Sequence, residues 1–101
     1  MSELWEILVP QKFNDGTEVP LEHHRVWDER VRSFAGGLTI FKSARGIWVS
    51  PEGEIYREGM IPVRIACSEE QIREIGRFTK EHYRQIAVIT YRISDLVIFI
   101  E

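Results

Sequence analysis

The stretch from residue 37 to residue 67 most constrains the fold, because both its arms are rich in β-formers and it doubles back at Pro51-Glu52-Gly53. Proline followed two residues later by glycine is a tight-turn signal, so the stretch reads as one long β-hairpin. Its outgoing arm is strand-like at 38–41, is interrupted at 43–46 and resumes at 47–50. The return arm runs 54–58, breaks at Gly59 and continues 61–67. Interruptions on both arms predict a bulge or bend partway along.

An amphipathic helix is expected on each side of this hairpin. Before it, His24, Trp27, Val31 and Phe34 recur at three- and four-residue spacing, with Pro20 in the first turn and Gly36-Gly37 as the stop. After it, Ser68-Glu69-Glu70-Gln71 has the form of a capping box, and its acids suit the positive end of a helix dipole. Ile72, Ile75, Phe78 and Tyr83 then line one side of a helix ending near Gln85. Residues 4–9 read as a first strand closed by Pro10, followed by a loop carrying Asn14-Asp15-Gly16. Residues 86–93 read as a strand after the second helix. The apolar run 96–100 reads as a sixth short strand or a continuation.

The order is β-α-β-β-α-β plus a short C-terminal strand, on one domain spanning 1–101. Right-handed crossovers turn it into an α+β, ferredoxin-like split βαβ, an antiparallel sheet with two helices on one face. Strand one is then central, between the return arm of the hairpin and the strand after helix two.

Period-two alternation assigns the faces. Trp5, Ile7 and Val9, then Ile61, Val63 and Ile65, then Ala87, Ile89, Tyr91 and Ile93 are the more apolar sets and are expected under the helices. The other face carries Leu4, Glu6 and Leu8, then Arg64 and Ala66, then Val88, Thr90 and Arg92. Trp48 and Tyr56, on either side of the turn, are expected to face each other as a cross-strand pair. Apolar residues among a few charges favour cover by a second subunit, so a homodimer through the sheet face is expected. A wet face with Glu6 and Arg64 as an ordinary cross-strand pair is the alternative.

Composition excludes more than it assigns. Hydrophobic residues make up 44% and charged residues 29%, as in ordinary globular domains. A formal net charge of −3 disfavours phosphate-backbone contact, so no nucleic-acid partner is expected. No stretch approaches the ~18 apolar residues of a membrane helix, and acids stand where an export leader needs a basic start. A cytoplasmic protein without a membrane partner is the expectation. The single Cys67 excludes an intramolecular disulfide and any paired-cysteine zinc site, and its place at the end of an apolar alternation predicts a buried, inert thiol.

Three scattered histidines, His23, His24 and His82, do not make a metal site. No phosphate loop, nucleophile elbow or dinucleotide fingerprint is present, so no cofactor and no catalytic residue are assigned. His24 falls on the apolar stripe with Asp28 four residues on, and a structural histidine is the preferred reading; His23 is expected to be solvated. The candidate ligand-binding residues are therefore Glu6, His24, Trp48, Tyr56, Arg64 and Arg92.

Gly37-Leu38-Thr39-Ile40, then Arg45-Gly46-Ile47-Trp48, the Pro51-Glu52-Gly53 turn and Arg57-Glu58 together resemble a small bacterial domain family of unknown function with a GLT-V…GxW…G…RE pattern. The resemblance covers residues 27–65 and the general layout of helix two. It implies a ferredoxin-like fold related to dimeric α+β barrel proteins, and it brings no catalytic residues. Two functions follow from the sequence. The first is a homodimeric, non-enzymatic module that binds a small molecule or a protein through the sheet face. The second is a cofactor-independent enzyme of the dimeric α+β barrel type, with His24 or Glu6 near a pocket between helices and sheet.

Overall fold

A computed structural model describes residues 2–101. The elements are β1 (Glu3–Pro10), α1 (Leu21–Ala35), β2 (Thr39–Ile40), β3 (Ala44–Val49), β4 (Ile55–Cys67), α2 (Glu69–His82) and β5 (Thr90–Ser94). All strand pairs are antiparallel, in the order β2-β4-β1-β5, with β3 pairing the outer half of β4. This is the expected ferredoxin-like α+β arrangement, with β1 between β4 and β5.

The register of β1 on β4 separates the faces. Trp5, Ile7 and Val9 lie opposite Ile65, Val63 and Ile61, and together with Cys67 they meet Trp27 and Val31 of α1 and Ile72 and Ile75 of α2 in one core. Both helices therefore cover this face. Cys67 is buried there, and burial pushes its thiol up to about 11, as expected of an inert cysteine.

The hairpin breaks for a different reason than Gly59, which pairs regularly with Arg45. Pro62 is the cause. The N–H and C=O of one residue point to the same neighbour in an antiparallel ladder, and the Pro62 carbonyl accepts from the Phe41 N–H at 2.9 Å. Proline has no N–H to complete that exchange, so the outer partner of β4 divides into β2 beside Val63 and Arg64 and β3 beside residues 55–60. Beyond Met60 only β3 and β4 pair, and they project as a two-stranded ribbon.

Both helix ends follow local chemistry. α1 stops at Gly36, whose left-handed backbone (φ 81°) lets its N–H reach the Arg32 carbonyl at 2.8 Å. The expected capping box opens α2: the Gln71 N–H donates to Ser68 Oγ at 3.1 Å, and the Ser68 N–H donates to Gln71 Oε1 at 2.9 Å. The Gln71 amide also donates to the Phe34 carbonyl at 2.9 Å, tying the start of α2 to the end of α1.

The other helix ends are joined by histidines. His23 Nε2 donates to the His82 carbonyl at 2.6 Å, His82 Nε2 donates to the His23 carbonyl at 2.7 Å, and the two rings stack at 3.7 Å. His23 is thus half-buried and bonded rather than solvated, because α2 ends directly against the first turn of α1. α2 itself ends at His82, earlier than expected, and Arg84 turns the chain away with a positive φ of 55°.

Two further expectations fail at the C-terminus. Residues 86–89 run without strand pairing, save one bond from the Leu8 N–H to the Ile89 carbonyl at 3.3 Å, so β5 is short. Residues 96–100 form no strand, and their apolar side chains other than Val97 are exposed. β5 is the sheet edge, and a chain turning off an edge has no ladder to join.

Ser68→Ala should lower the unfolding free energy by about 1 kcal/mol, the usual value of an N-cap, measured by urea denaturation. Stability should also fall on mild acidification. Burial holds both His24 and His82 below the ordinary imidazole value, so their contribution is complete above the unfolded value near 6.5 and is lost as pH falls through the lower folded values. Urea titrations from pH 7.5 to 5 should show this decline. His82→Gln, which keeps a donor for the His23 carbonyl, should make it shallower and leave the part that His24 contributes.

Candidate functional site

The helix-free face of the sheet is organised around Glu6. Strand alternation points this carboxylate away from the core, yet the residue is only 8% exposed. Arg64, directly opposite on β4, covers it and donates from Nε to Glu6 Oε1 at 3.0 Å. Tyr91, opposite on β5, donates its phenol to the other oxygen, Oε2. The hydrogen bond to Glu6, with lesser burial, raises the Tyr91 phenol above its ordinary value, so it stays a neutral donor. Phe41 lies 4.7 Å from the Arg64 guanidinium and covers its other side. A row of contacts, Phe41–Arg64–Glu6–Tyr91, thus crosses the sheet from the outer edge of β4 to β5.

Trp48 and Tyr56 are direct partners on the ribbon, as expected. With no register shift along β4, they share the face of Glu6, eight residues farther out along β4 than Arg64. Both are exposed. Trp48 and Met60 converge over Gly46. An open cavity of about 480 Å³ adjoins them, with Leu8, Pro10, Val88 and Ile89 among its other walls.

The remaining candidates lie elsewhere. Arg92 does not join Glu6. The register places it opposite Trp5, on the helix side, where it pairs with Glu3 at 3.0 Å. Ile93 is skipped by a β-bulge between the Leu4 and Trp5 pairings, and Tyr91 takes the place on the helix-free face that alternation had assigned to Arg92. β5 is an edge strand beyond the helices, which is why its faces depart from those expected. Its Tyr91 and Ile93 are apolar but exposed, so apolarity there does not mark the covered face.

His24 lies between the helices. Its Nδ1 is 2.7 Å from the Tyr83 hydroxyl, and Tyr83 is wholly buried. Burial lowers His24, with Asp28 acting weakly against that, which leaves a neutral imidazole bonded to a neutral phenol. The neighbouring Trp27 N–H donates to Thr79 Oγ1 at 2.9 Å. These bonds join α1 to α2, and His24 does not line the open cavity beside Trp48. Among the described residues no three His, Cys, Asp or Glu side chains are grouped to hold a metal ion. No helix there is long and apolar enough to cross a membrane.

No protein-family model matches the sequence, and no curated protein sequence matches it. The resemblance to a bacterial domain family of unknown function thus finds no support in these two comparisons. Solved structures do match. A phage SAM lyase in complex with S-methyl-5'-thioadenosine superimposes with a TM-score of 0.67 at 17% identity, over 92% of this chain and 89% of that one. CutA1 from the psychrotrophic bacterium Shewanella sp. SIB1 has a TM-score of 0.70 at 11% identity, over 97% of this chain and 84% of that one. The periplasmic divalent cation tolerance protein CutA from Archaeoglobus fulgidus has a TM-score of 0.65 at 17% identity, over 92% and 82%. At these identities the likeness is one of fold: the chain shares the ferredoxin-like architecture of these proteins.

Proposed function

We propose that this chain is a non-enzymatic, self-associating binding module whose helix-free sheet face is covered by a second copy, as a homodimer. One observation carries the reading. The chain exposes 7324 Å² at a mass of 11.9 kDa, whereas a monomer of that mass exposes roughly 5,900 Å². The excess, roughly 1,400 Å² per chain, is more than the roughly 800 Å² that each partner buries in a standard protein–protein interface. Much of it is apolar: Trp48, Tyr56, Tyr91, Ile93 and the residues of 96–100 other than Val97 are exposed. The Glu6–Arg64–Tyr91 cluster gives that face a fixed polar centre, and a two-fold partner presents the same patch back. Its ligand, a small molecule or a protein, is met by Glu6, Arg64, Trp48 and Tyr56 on the same face. The buried thiol of Cys67 accords with a reducing, cytoplasmic setting.

The second reading is a cofactor-independent enzyme. The cavity beside Trp48 favours it, and so does a lyase on the same fold in the phage protein, though a shared fold is only an analogy for function. The bonding of Glu6 weighs against it. Both of its oxygens are already engaged, one by Arg64 and the other by the Tyr91 phenol, so neither is free to meet a substrate. His24 is likewise engaged by Tyr83.

Light scattering at micromolar concentration should give a multiple of the 11.9 kDa chain mass, and a monomer mass would overturn the proposal. Glu6→Gln should lower stability by about 1–2 kcal/mol, less than a fully buried pair loses because Arg64 keeps contact with solvent, and it should shift the mass towards monomer. Melting temperature and mass unchanged from the parent would show the face to be wet.

A further inference from the structure

A second cavity, of about 570 Å³, lies between the loop that follows β1 and the base of the ribbon. It is separate from the Glu6 cluster, and its lining differs in kind from the rest of an acidic chain. Lys12, Arg45 and Arg57 line it, and against these three cations stands one carboxylate, Glu58. None of the three cations makes an ion pair among the described residues. A fourth cation, Arg84, sits 5.3 Å from the ring of Phe13, which is itself part of the cavity wall. In a chain of net charge −3, cations converging on one concavity repel each other unless an anion enters between them.

The other walls add shape. Phe13 contributes aromatic surface. Gln11 packs its side chain directly over Gly59, where any added side-chain carbon would collide with the Gln11 amide. The Gln11 N–H bonds the Gly59 carbonyl at 3.2 Å, and Lys12 pairs with Glu18 across the loop, so the loop is held against the ribbon by its backbone. The volume falls within the range of sites for small ligands.

We propose that this cleft binds a small phosphorylated molecule carrying a planar ring. Arg45, Arg57 and Lys12 receive the phosphate, and the ring lies against the aromatic wall. Arginine suits the role because its planar fork matches phosphate oxygens. Phe13 suits it because a π-face accepts any flat ring. The site requires no second copy of the chain, so it stands or falls apart from the sheet-face association.

Calorimetric titration of the full chain with AMP and with flavin mononucleotide tests this, with adenosine, riboflavin and inorganic phosphate as controls. At least one of the two phosphorylated probes should bind saturably. Its affinity should exceed that of its ring alone and of phosphate alone by about tenfold or more, and should fall as salt is raised. Arg45→Gln combined with Arg57→Gln should lower that affinity about tenfold, with melting temperature and light-scattering mass unchanged. Because both side chains are exposed on the ribbon, the variant is expected to fold. Failure of both probes to bind, equal binding of ring alone or phosphate alone, or undiminished binding by the folded double variant would each overturn the proposal.

Discussion

Glu6 stands opposite Arg64 because Ile7 stands opposite Val63, and the register of β1 on β4 sets both. Side chains alternate across a strand, so a slip of one residue would turn Trp5, Ile7 and Val9 out to solvent and carry Glu6 into the core. Burial of the apolar set against Trp27, Val31, Ile72 and Ile75 makes that slip prohibitive. The ion pair then arises at little extra cost, since the partners already face each other. β5 completes the cluster from the other side of β1 by bringing Tyr91 to the second oxygen. The polar centre of one face is thus a consequence of packing on the other.

Pro62 controls what lies beyond this frame. By denying β4 one outer hydrogen bond it separates β2 from β3, and the ribbon beyond Met60 leaves the helices behind. The molecule is accordingly long, 47 × 30 × 23 Å, with a radius of gyration of 14.2 Å, against roughly 13 Å for a compact domain of this length. Ile47, Val49 and Ile55 are exposed on the ribbon beside Trp48 and Tyr56. A two-stranded ribbon is marginal in water unless something packs against it. Excess surface and exposed apolar residues coincide there.

Much of the frame was legible in the sequence because strong local signals coincided with strong burial. The capping box at Ser68, the glycine stop of α1, the turn at 51–53 and the alternation of β1 and β4 each state one conformation, and the core agrees with all of them. From that frame the Glu6–Arg64 pair and the facing of Trp48 with Tyr56 could be read directly. The edge was not legible. β5 is an edge strand whose apolar residues are exposed, so they carry no information about which side is covered. Arg92 went to Glu3 and Tyr91 to Glu6 for that reason. The His23–His82 stack was hidden differently, since it joins residues 59 apart through their main-chain carbonyls and leaves no spacing to recognise.

A phage lyase and the CutA proteins share this frame at 17% identity or less, so what the frame itself provides is common to all of them. Whatever distinguishes this chain must be sought where the frame leaves side chains free. Those places are the helix-free face, the ribbon and the loop that follows β1. The chain from Arg84 to Ile89 links them, because Gln85 borders both larger cavities while Ala87, Val88 and Ile89 border the one beside Trp48. That segment leaves α2 immediately after His82, through the positive φ of Arg84, and its Arg84 carbonyl accepts from the Asn14 side chain at 3.2 Å. Its path is therefore fixed at one end by the histidine stack and at the other by the pairing of β5 with β1. The walls of both cavities depend on two anchors that belong to the frame, so the free surfaces inherit their shape from the packing that the core dictates.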